Sequence, residues 1–156
     1  MAGGPILPFS CVPITADRVF TVILTAEMPE SLGFEASLGA DAIWRCFYRM
    51  PPVIPTGTAK TLLGCQANAT TGNARLNVKW KSWGANEVPA AASLTAEGVA
   101  TITFATTAYR LTESIITMDA DTFVANELVQ VDLVGETASW TLAALLGVLP
   151  PPIYWE

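Results

Sequence analysis

From Ala74 to Ser82 the chain alternates, with Leu76, Val78 and Trp80 on one side and Arg75, Asn77, Lys79 and Lys81 on the other. A period of two is the mark of a half-buried β-strand; wound as a helix, the same residues would scatter their apolar groups around the cylinder. The pattern returns in Leu128 to Val134, where Val129, Val131 and Leu133 point inward and Gln130 and Asp132 outward. It returns again in Val99 to Ala105, with Ile102 and Phe104 against Thr101 and Thr103. Further strands are predicted at Arg18 to Ala26, Ala42 to Met50, Thr58 to Ala69, Leu111 to Met118, Trp140 to Leu146 and Ile153 to Trp155. Thr71-Gly72-Asn73 reads as a hairpin turn. Helical signals are poor. Ser31 to Leu38 predicts one short turn, and the threonines and prolines around Trp140 to Leu146 favour a strand despite its Ala and Leu content. Eight or nine short strands separated by Gly and Pro turns predict an all-β, antiparallel sandwich or barrel.

The two ends depart from this pattern. Met1 to Pro13 is rich in Pro and Gly yet carries Ile6, Leu7, Phe9 and Val12, where a disordered tail would be polar. The prolines rule out a helix there, so these side chains need an apolar surface, either this domain's own or a partner's. At the other end a proline triplet, Pro150 to Pro152, favours an extended approach for Ile153, Tyr154 and Trp155. The expected organisation is an extended N-terminal arm over 1–17, one β-sandwich domain over 18–149 and an extended C-terminal tail over 150–156.

A chain of 156 residues is long enough for one domain with a real core. Charged residues make up only 14% and hydrophobic ones 51%, against about 25% charged in ordinary soluble domains. Much of the surface must then be neutral or covered. The net charge is −6 and no basic run exists, which argues against a nucleic-acid partner. The longest apolar stretch, Ser139 to Leu149, is about half of the roughly 20 residues a spanning helix needs, so no membrane partner is expected. The first residues, Met1 to Asp17, hold no lysine or arginine, which argues against a secretory signal.

Chemistry is scarce. With no histidine the chain lacks the commonest general base, the commonest metal ligand and any Ser-His or Cys-His pair. Cys11, Cys46 and Cys65 stand at unrelated spacings and are expected to be reduced core thiols rather than a disulfide framework or a zinc site. Gly57 to Thr61 lacks the glycines of a phosphate-binding loop and reads as a turn into a strand. Asp119-Ala120-Asp121 reads as a solvated turn rather than a calcium site. Carboxylates are scattered singly, with no glycosidase-type pair. The expectation is a non-enzyme without cofactor or metal. Among the aromatics, Trp80 fits the core, whereas Trp83, at the strand end beside Gly84, is the candidate for stacking on a sugar ring, with Asn86-Glu87 as nearby polar groups. Trp44, Cys46 and Tyr48 oppose Arg45, Phe47 and Arg49, which puts an apolar residue on the more polar face of that strand.

The segment Pro55 to Lys60 running into Asn77 to Trp80, together with Tyr109 to Glu113, Met118 to Asp121 and Glu127 to Leu133, resembles virion proteins of tailed bacteriophages. The resemblance covers roughly residues 55 to 146 and lies in short Thr- and Ala-rich segments. It implies a jelly-roll-like β-sandwich of about eight strands with extended arms, and a structural role as a head decoration, or cement, protein on the outer capsid surface of the virion, made in the host cytoplasm. It also implies the major capsid protein as partner and self-association as a homotrimer, with no catalytic residues to carry over. Ile6, Leu7, Phe9, Leu145, Ile153, Tyr154 and Trp155 are then the candidate capsid or subunit contacts. The alternative is a glycan- or receptor-binding module of a phage tail fibre, acting through Trp83.

Overall fold

A computed structural model describes residues 4–88, 94, 96–118 and 123–156. Among them are eleven strands and a 3₁₀ turn at Thr137–Ser139: β1 (Ser10–Pro13), β2 (Val19–Val22), β3 (Ser31–Phe34), β4 (Ala42–Arg49), β5 (Ala59–Ala67), β6 (Asn73–Trp83), β7 (Ala96–Thr103), β8 (Thr112–Met118), β9 (Leu128–Gly135), β10 (Leu146–Val148) and β11 (Ile153–Trp155). They form two antiparallel sheets. One runs β1-β4-β9-β6-β7. In the other, β5 holds β8 on one edge and both β11 and β10 on the other, and the sheet continues through β3 to β2. This is the antiparallel, jelly-roll-like β-sandwich that the sequence led us to expect.

The core follows from the alternation. Trp44, Cys46 and Tyr48 of β4 face Leu133, Val131 and Val129 of β9, which in turn oppose Val78, Trp80 and Ser82 of β6. All but Ser82 are buried. The other sheet supplies Phe34, Leu63, Cys65, Ile116, Val148 and Ile153 to the same cluster. Trp44 also ties the layers together by donating its indole N–H to the Gly33 carbonyl of β3 at 2.9 Å.

Three local expectations are corrected. Ser31 to Phe34 is no helical turn but a fully buried strand between β2 and β10. Gly33 hides its period, and a Cβ there would come within 2.4 Å of the Phe20 carbonyl oxygen. Trp140 to Leu146 is mostly not a strand. The amides of Thr141 and Leu142 both donate to the Asn73 carbonyl, so that backbone is spent on the start of β6 and only Leu146–Val148 joins a ladder. Thr71-Gly72-Asn73 is no hairpin, because β5 and β6 lie in different sheets. Gly72, at a φ of 103°, instead turns the chain across the sandwich.

Both ends are built into the sheets. β1 is the edge strand beside β4, and β11 pairs with β5. Ile6 exchanges two backbone hydrogen bonds with Ile153, at 2.8 and 2.9 Å. The proline segment is held by its carbonyls: Tyr48 Oη–H donates to Pro151 and Thr61 Oγ1–H to Pro152.

Candidate functional site

The outward-pointing residues of the five-stranded sheet form rows across its strands. Arg45 of β4, Asp132 of β9, Lys79 of β6 and Glu97 of β7 are directly opposed in turn. The next row is Phe47, Gln130 and Lys81, and the last is Arg49, Leu128 and Trp83. Gln130 and Asp132 point away from the core yet are 1% and 3% exposed. Arg45 grips the Asp132 carboxylate with two hydrogen bonds, of 2.8 and 3.0 Å, and Gln130 Nε2 donates to it at 3.2 Å. Charge-assisted, bidentate bonds of this kind fix both side chains in one geometry. The carboxylate in turn raises the pKa of the Arg45 guanidinium.

The last row is the floor of a cleft of about 500 Å³. Its walls are the loop after β6, with Gly84, Ala85 and Glu87, and the segment before β9, with Ala125, Asn126 and Glu127. Each wall is set by short polar contacts. Glu87 accepts from the Gly84 amide at 3.0 Å, and Glu127 accepts from Ser82 Oγ–H at 2.7 Å. Asn126 takes a φ of 64°, a left-handed conformation that asparagine tolerates, and its carbonyl accepts from Arg49 Nη1 at 2.8 Å. A Cβ at Gly84 would meet Glu127 Oε1 at 3.1 Å and Glu87 Oε2 at 4.0 Å, so the two carboxylates converge over a residue that leaves them room.

Trp83 belongs to this cleft, but not as an open stacking platform. It is 5% exposed, and Lys81 Nζ sits 4.2 Å from the centre of its ring. A sugar would have to displace that cation to stack there. The open aromatic surface lies at the opposite edge of the same face. Phe9, 63% exposed, stacks on Phe47 at 6.4 Å between ring centres with 25° between planes.

The other candidate contact residues do not gather into one surface. Leu7 is exposed, whereas Ile6, Leu145 and Tyr154 are half-buried. Ile153 and Trp155 are core residues of β11, at 0% and 5% exposure, which corrects their assignment as contacts: the domain's own apolar interior already covers them. Asp119-Ala120-Asp121 lies outside the described residues. Sequence reasoning missed Phe47, Gln130, Asp132, Arg49 and Glu127 as members of one face. The outward phase of β4 and β9 was visible, but their pairing was not.

No protein-family model matches the chain, and no curated protein matches it in sequence. Similarity appears in the fold. A putative sugar-binding protein from Bacteroides thetaiotaomicron matches with a TM-score of 0.54 and 10% identity, over 100% of this chain and 89% of that one. The family 11 carbohydrate-binding module of a cellulosomal cellulase of Clostridium thermocellum matches with a TM-score of 0.53 and 12% identity, over 100% and 97%. A module solved with β-1,4-galactotriose matches with a TM-score of 0.51 and 9% identity, over 94% and 88%. The expected partners, a major capsid protein and further copies of this chain in a homotrimer, are therefore corrected. The similar folds are those of carbohydrate-binding modules, and nothing found points to a capsid or to self-association.

Proposed function

We propose that this domain is a non-catalytic saccharide-binding module, and that its ligand lies across the outer face of the five-stranded sheet and ends in the cleft floored by Arg49, Leu128 and Trp83. The observation that carries the reading is the composition of that one face. An aromatic pair stands at the β4 edge, fixed polar groups lie in the rows beside it, and a cleft with both donors and acceptors occupies the adjoining last row. A sugar presents hydroxyls around its rim and C–H groups on its ring faces. The Arg49 guanidinium can donate to the hydroxyls, the Glu87 and Glu127 carboxylates can accept from them, and the Phe9–Phe47 pair offers a surface for the C–H face. The similar folds support a saccharide as ligand class, one of them being a module of a cellulosomal cellulase. A cement role on a capsid has no such support.

The test is retention of the purified protein on a panel of immobilised polysaccharides, followed by calorimetry with the oligosaccharides that retain it. Arg49→Ala should weaken binding about tenfold, the ~1.4 kcal/mol typical of a hydrogen bond to a charged group, with unfolding unchanged. Retention on no member of the panel would sink the proposal.

A further inference from the structure

Cys11 and Cys46 are 35 residues apart in the chain but directly opposed in the β1–β4 ladder, with their Sγ atoms 2.6 Å apart. The kind of opposition matters. The Ile14 amide donates to the Ile43 carbonyl, which makes 14/43 a hydrogen-bonded pair. Counting back in the same register, Pro13 faces Trp44 and Cys11 faces Cys46 at the alternate, non-hydrogen-bonded positions, as Pro13's lack of an N–H requires. At such positions Cα atoms stand about 4.5 Å apart and the side chains approach most closely, inside the range that disulfides span. The sulfurs need to close by only about half an ångström to reach the roughly 2.05 Å of a bond. We propose that Cys11 and Cys46 form a dithiol–disulfide site which, when oxidised by a low-molecular-weight disulfide, clamps the edge strand β1 to β4.

The two thiols are unequal in a way that suits the exchange. Cys11 is half-buried at the sheet edge and Cys46 is buried in the core. The contact with Cys46 lowers the pKa of Cys11, while that contact and burial raise the pKa of Cys46. Cys11 is thus the group that meets the oxidant. Its thiolate attacks one sulfur of oxidised glutathione, forming a mixed disulfide and expelling glutathione thiolate. The Cys46 sulfur, losing its proton, then attacks the Cys11 sulfur of that mixed disulfide and releases a second glutathione. Two protein thiols are oxidised by two electrons, and one glutathione disulfide is reduced to two thiols. Cys65 is buried in β5 of the other sheet and is left out.

The clamp acts on the rim of the outer face. Phe9 immediately precedes β1, its amide donates to the Phe47 carbonyl at 2.9 Å, and its ring rests on Phe47. Fixing β1 therefore fixes the aromatic pair, whatever the face binds.

The experiment uses the reduced full chain treated with oxidised glutathione. Intact mass in denaturant should fall by two hydrogens, thiol titration of the unfolded protein should drop from three groups to one, and peptide mapping should join Cys11 to Cys46. Oxidation should also raise the thermal midpoint and slow amide exchange in β1, both reversed by dithiothreitol. Cys46→Ser should stop at a stable glutathione adduct on Cys11. A wild-type product that keeps glutathione on Cys11, that retains all three thiols, or that links either residue to Cys65 would overturn the site. An unchanged midpoint together with unchanged exchange would overturn the clamp.

Discussion

At the scale of single residues the outer face depends on groups that are polar, outward-pointing and yet dry. The alternation in β9 correctly turned Gln130 and Asp132 away from the core. Their burial was not legible, because what surrounds them comes from β4 and β6: Arg45 and Lys79 flank Asp132, and Phe47 and Lys81 flank Gln130. The consequence is a stability role for a charge that looks superficial. Asp132→Ala leaves Arg45 and Gln130 without their acceptor, and since Asp132 is nearly fully buried while the Arg45 side chain is about a fifth exposed, the cost should be about 2–4 kcal/mol, at the lower end of that for broken buried pairs. Asp132→Asn, which keeps an acceptor oxygen, should cost less, and urea unfolding of both variants decides the matter. Equal losses would mean that the negative charge alone carries the contribution, and that the retained shape and acceptor oxygen add nothing. The thiols make a second case. Burial pushes the Cys65 pKa up from 9.0 to about 12, so between these values the unfolded chain releases a proton that the folded chain holds. Its contribution to stability is complete below about pH 9 and is lost as pH rises toward 12. In the reduced native protein at pH 8, iodoacetamide should therefore label Cys11 well before Cys65, as followed by peptide mass. Comparable rates would contradict the burial that sets them apart.

At the scale of elements, the strands that alternate cleanly were the legible ones: β4, β6, β7, β8 and β9 fall where period two placed them, within a few residues. β3 failed for a physical reason. A strand buried on both faces needs no alternation, and its sequence, Ser-Leu-Gly-Phe, answers to close packing instead. Gly33 lies between Phe20 of β2 and Gly147 of β10 in register, so no side chain can be added at the point where three backbones meet. Gly33→Ala would drive its methyl against the Phe20 carbonyl, backbone that cannot move aside as a flexible side chain would. We expect a loss of about 1–3 kcal/mol, in the range of overpacked cores, together with faster amide exchange in β2. Exchange unchanged in β2 would show that the sheet edge yields freely. Tertiary hydrogen bonding overrode local preference elsewhere too. The threonines and prolines around Trp140 to Leu146 favour a strand, but Asn73, far away in sequence, takes the amides of Thr141 and Leu142.

Over the whole molecule, the two chain ends with similar composition have different duties, and the sequence could not tell them apart. Both are proline-rich and carry large apolar side chains, so both read as segments in search of an apolar surface. The C-terminal one finds that surface inside its own sandwich. Ile153 and Trp155 alternate inward from β11, and Trp155 meets Phe123 edge-on at 6.1 Å between ring centres. The N-terminal one is bound mainly through backbone: Ile6 covers the free edge of β11, while Leu7 and Phe9 remain exposed. Shortening each end should therefore separate stability from binding. Trp155→Ala removes a large buried ring and should cost about 3–5 kcal/mol, a fall in thermal midpoint on the order of 10 °C for a domain of this size. Phe9→Ala removes a ring that is mostly in water and should leave the midpoint within about 2 °C. If the outer face holds a saccharide, only Phe9→Ala should weaken retention on the polysaccharide that retains the parent, since the Trp155 variant keeps the face intact wherever it is still folded. Scanning calorimetry and affinity electrophoresis on the same two proteins make the comparison. A Phe9 variant that loses as much midpoint as the Trp155 variant would place Phe9 in the core, and one that binds as tightly as the parent would remove it from the proposed platform.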